Sequence, residues 1–65
     1  MPAVLVFRDL RFGEYMPGSA HVEEYDNAGA ALRWLSNDGW KVSGINSQVF
    51  YKYDAYIMHE CMILY

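Results

Sequence analysis

Five residues in this chain could together hold a small anionic ligand: Arg8 and Arg11 near one end, and Tyr51, Lys52 and Tyr53 near the other. Guanidinium groups bind phosphates in a bidentate manner, and aromatic rings stack on bases. One chain supplies few such groups, but a symmetric oligomer repeats them around its axis. A pocket at that interface could take a nucleotide-like ligand even though the whole chain is acidic. A plainer reading pairs Arg8 and Arg11 with Asp9 and Glu14 on the surface and uses the tyrosines to seal the oligomer.

Other reactive types are sparse. His59-Glu60-Cys61 brings a histidine near a thiol, and a histidine can activate a nucleophile. On a strand the two share a face but stand about two rises apart, which is not a tuned hydrogen bond. Cys61 therefore reads as a small buried hydrophobe and His59 as a packed or interface residue. A metal site from His21, His59 and Cys61 would need subunits to pool ligands, so no metal and no cofactor is expected. Glu23 and Glu24 diverge to opposite faces of an extended segment and suit a solvated edge. The chain holds no Gly-x-Ser-x-Gly elbow, phosphate loop or His-Glu-x-x-His motif, so catalytic residues are not expected and the chain reads as a non-enzyme.

These residues depend on a small set of elements. Residues 3–12 form a first strand, with Val4, Val6, Arg8, Leu10 and Phe12 on one face and Leu5, Phe7, Asp9 and Arg11 on the other. Pro17-Gly18 marks a turn, and residues 21–25 can return as a second strand. Asp26 or Asn27 caps a helix over about 27–37, whose stripe is Ala28, Ala31, Leu32 and Leu35, with Trp34 flanking it. Gly39 ends that helix where a left-handed residue is wanted. The indole of Trp40 then lies over the helix end to seal the core. Residues 40–45 read as a strand and 46–48 as a turn. Residues 49–53 are either a strand or an arm to a neighbouring subunit, and 55–65 are the last strand. The fold class is α+β: a small antiparallel sheet of three to five strands with one helix on one face, in the order β(β)αββ.

Size turns the argument toward self-association. A chain of 65 residues makes one domain, 1–65, and buries only about 60% of its unfolded surface. Small domains compensate with disulfides, a metal or association. Cys61 is the single cysteine, which excludes an internal disulfide and fits a reducing compartment. The chain is 54% hydrophobic and 17% aromatic, more rings than so small an interior hides, so a homo-oligomer is expected. A net charge of −3 argues against general nucleic-acid binding. No apolar run approaches the ~20 residues that span a bilayer, so a cytoplasmic location is expected.

The run Leu32-x-x-Leu35-x-x-x-Gly39-Trp40-x-Val42, followed by a hairpin, resembles a small bacterial and phage β-α-β-β domain of unknown function. The resemblance covers the half of the chain from the helix onward. It departs from that pattern through the extra residues 49–53 and a longer first loop. It implies a fold and a habit of self-association, with no established activity. The expected function is a non-catalytic homo-oligomer that sequesters a nucleotide-like signalling ligand at subunit interfaces, as phage counter-defence proteins do. The alternative is a small acidic inhibitor that blocks a partner protein, its charge steering it to basic surfaces.

Overall fold

A computed structural model describes residues 1–11, 21–44 and 48–65. The expected turns at Pro17-Gly18 and Asn46-Ser47, and Glu14 as an ion-pair partner, lie outside the described residues. The elements are β1 (Ala3–Arg11), β2 (His21–Tyr25), α1 (Ala28–Asn37), β3 (Lys41–Val42), β4 (Val49–Asp54) and β5 (Ile57–Leu64). They form an α+β fold: one antiparallel sheet in the order β2-β1-β5-β4-β3, with α1 on one face. The segment 49–53 is thus a strand within the sheet. The strand after the helix is only Lys41–Val42, shorter than its alternation implies.

Local chemistry starts and stops the helix as the sequence leads one to expect. Asn27, not Asp26, is the N-cap: its side chain accepts from the Ala30 amide at 2.8 Å, satisfying an orphan first-turn donor. Gly39 has φ +85°, the left-handed value that reverses the chain without a Cβ penalty. Trp40 then donates its backbone N–H to Leu35 O and packs, half-buried, against the core. A second positive φ, +51° at Ala55, lies in the two-residue turn between β4 and β5.

The helical stripe needs one correction. Ala31 and Leu35 are fully buried, but Leu32 is 40% exposed. The periodic pattern admits both sides of the stripe, whereas α1 lies against β1 and β2 and puts its half-buried Trp34 there instead.

Period-two alternation sorts the sheet into two faces. The helix-side face carries Leu5, Phe7, Phe50, Cys61 and Ile63, all buried. Cys61 stands between Phe7 and Phe50 in register. On the other face, Val22, Val6, Met62 and Val49 stand opposite one another across four strands. The next row on that face is Arg8, Glu60, Tyr51 and Lys41. No described residue covers this second face, and Val22, Met62 and Leu64 are exposed on it.

Candidate functional site

The expected ligand set divides between faces. Arg8, Tyr51 and Tyr53 lie on the open face, while Lys52 points to the helix side, because alternation along β4 separates it from its neighbours. Arg8 does not pair with Asp9. Its Nε donates to Glu60 Oε1 on β5 at 2.7 Å, since Asp9 next in sequence faces the other way and Glu60 is directly opposite in register. Arg11 stands opposite Ile57 in the backbone register, and its side chain lies outside the described residues. The rings of Tyr51 and Tyr53 meet edge to face, 5.7 Å apart.

A hollow of about 260 Å³ nevertheless reunites three of these residues. It opens beside the short β3 and is lined by Gly39, Lys41, Tyr51, Lys52 and Tyr53. Its ionisable lining among the described residues is two lysines and two tyrosines, with no carboxylate. Lys41 was not in the expected set. It stands opposite Tyr51, a pairing the sequence shows only once β3 and β4 are aligned. Lys52 Nζ donates to the Asp38 backbone oxygen at 2.8 Å and to its carboxylate at 3.3 Å. The Trp40 indole N–H donates to the same carboxylate at 3.0 Å. The Trp40 and Lys52 hydrogen bonds, in that order, hold the Asp38 carboxyl below its usual range. Asp38, the C-cap of α1, thereby joins the helix end to β4.

A second hollow, of about 310 Å³, opens on the helix side. Its walls are Phe7, Trp34 and Trp40, with Trp34 and Trp40 each 5.8 Å from Phe7 at steep angles of 85° and 61°. Two histidine–carboxylate pairs supply its polar lining. His59 Nδ1 lies 2.6 Å from Asp9 Oδ1, and His21 Nε2 lies 3.0 Å from Glu23 Oε2. A carboxylate only accepts, so the imidazole nitrogen carries the hydrogen in each. His59 and Asp9 are 50 residues apart in sequence and meet because β1 and β5 are neighbours.

An Asp–His pair can serve as a general base, but the nearby thiol is no nucleophile for it. Cys61 is fully buried, and burial first, with Glu23 second, pushes its thiol up to about 12. Tyr25, whose hydroxyl donates to Glu23, is likewise raised, mainly by desolvation. No group of three or more metal-binding side chains occurs among the described residues. No helix among them is long and apolar enough to cross a membrane.

Compared with protein-family models, curated proteins and solved structures, the chain matches none of them.

Proposed function

We infer that the protein is a non-catalytic binding module that self-associates through its open sheet face and captures a small nucleotide-like anion. The observation that carries this is the hollow of Lys41, Tyr51, Lys52 and Tyr53. Its Lys41 ammonium, with Lys52 held beside it by Asp38, suits a phosphate, and its tyrosine rings offer a surface for a base. The apolar row of Val22, Val6, Met62 and Val49 supports a second copy as the neighbour. Strands spaced about 4.8 Å apart give this face roughly 500 Å². Two copies would bury about 1,000 Å², the lower limit of a specific interface. The row beside it alternates in charge through Arg8, Glu60 and Lys41, which a two-fold axis can match to itself. Stacked in that way, one copy's Arg8 can complete the other's hollow. Holding a signalling ligand by occupancy is how a phage counter-defence protein would act, and kinship with the β-α-β-β domain carried by Gly39-Trp40 belongs to the same reading.

Native mass spectrometry on gently purified protein, with and without added ADP, tests this. A discrete oligomer that retains ligand mass, and loses it in Arg8→Ala without changing subunit number, is the expected result. A monomer that retains nothing would overturn the reading and leave the exposed Val22, Met62 and Leu64 as a surface for a different protein.

A further inference from the structure

The helix-side hollow has the opposite character, and we propose that it is a separate site for a small organic ammonium ion. Three features select that class. First, its charge balance excludes anions. Asp9 and Glu23 line it with His21 and His59, and the described lining includes no Lys or Arg. With both imidazoles protonated the set is neutral, and with both neutral it carries two negative charges. As long as both carboxylates are ionised, no state of the two imidazoles makes it positive.

Second, its walls suit a cation. Tryptophan is the strongest cation–π partner among the side chains, and steeply inclined rings present several π-faces to one compact charge. Trp34 and Trp40 stand at 85° and 61° to Phe7. A flat base stacks best between parallel rings; these are far from parallel. Phe7 is itself backed by the His21 ring, stacked at 4.5 Å, which fixes one side of the hollow.

Third, one carboxylate oxygen remains available to face a cation's charge. Tyr25 and His21 engage both oxygens of Glu23. Asp9 uses Oδ1 for His59 and makes no hydrogen bond through Oδ2 among the described residues. Its side chain is 49% exposed and lines the hollow. The volume, about 310 Å³, is at the small end of ligand pockets, which fits a compact ammonium rather than a peptide. A third hollow, which shares Trp40 and His59 with it and adds Asp38, Asp54 and Lys52, gives the ligand's substituent a direction to extend.

Choline and 3,3-dimethylbutan-1-ol have the same shape and differ by one charge, which makes them the probes. Each is titrated into the full chain at constant ionic strength while the two indole N–H signals are followed by NMR. Choline should shift both indole signals at a concentration roughly tenfold below that needed with the neutral alcohol, the ratio expected of a cation–π contact of ordinary strength. Asp9→Asn, at a half-exposed position, should weaken choline several-fold and leave the alcohol unchanged. Arg8→Ala, on the other face, should alter neither. Equal potency of choline and the alcohol, or no choline-dependent shift of either indole, would overturn the proposal. Loss of choline binding in Arg8→Ala would do so too.

Discussion

Cys61 should be nearly inert in the folded protein, and the size of that protection distinguishes two routes to it. Its thiol is raised from 9.0 to about 12, which cuts the thiolate fraction at neutral pH roughly a thousandfold. The side chain is also 0% exposed, between Phe7 and Phe50, so iodoacetamide has no path to it without some opening of the sheet. A chain of 65 residues at the usual stability per residue has about 3–10 kcal/mol in total. A thousandfold loss of thiolate corresponds to about 4 kcal/mol. If the protein is less stable than that, global unfolding is the faster route to alkylation. The assay is alkylation followed by intact mass, with glutathione as the free-thiol standard. Labelling should be at least a hundredfold slower than glutathione and should accelerate about fivefold per molar urea, as an m-value near 1 kcal/mol/M requires. A native rate within tenfold of glutathione, flat in urea, would refute both the packing of Cys61 and the desolvation argument.

Two further outcomes follow from the same core. Leu35→Ala should cost about 2–5 kcal/mol, because it opens a cavity at a fully buried position, whereas Leu32→Ala should cost under about 1 kcal/mol. Urea melts at fixed protein concentration compare them, and equal losses would mean that α1 is rotated on the sheet. Cys61 and Tyr25 both have folded-state pKa values above their unfolded ones. Their contribution is therefore complete below the unfolded values and is lost as pH rises through the folded ones. Stability should fall from about pH 9 toward 12, and a urea midpoint that stays constant across that window would contradict the burial of both groups.

Much of the local structure is readable because its causes are local. Asn27 caps three residues ahead, Gly39 ends the helix at its own φ, and alternation sorts Leu5 and Phe7 from Val4 and Val6. The pairings are not readable in this way. Arg8 meets Glu60 across 52 residues and His59 meets Asp9 across 50, and both depend on β1 lying beside β5, which no short-range pattern encodes. The same-face sets containing Phe7 with Asp9, and His59 with Cys61, are each visible in sequence. Only the register of the two strands brings Phe7, Asp9 and His59 together in one hollow, while Cys61 stays buried outside its lining. Lys52 shows the converse: nearness to Tyr51 and Tyr53 in sequence places it on the opposite face.

The placement of β5 beside β1 also sets how the molecule must assemble in time. β4 and β5 are joined by two residues and can zip as a hairpin in about 1–10 μs. β1 must then close a loop of some 50 residues onto that hairpin, and α1 has no complete platform until it does. Folding is therefore governed by a long-range search, which slows it relative to helical domains of the same size. Side chains that tie only β4 to β5 should act on the refolding rate, and those that tie β1 to β5 on the rate of coming apart.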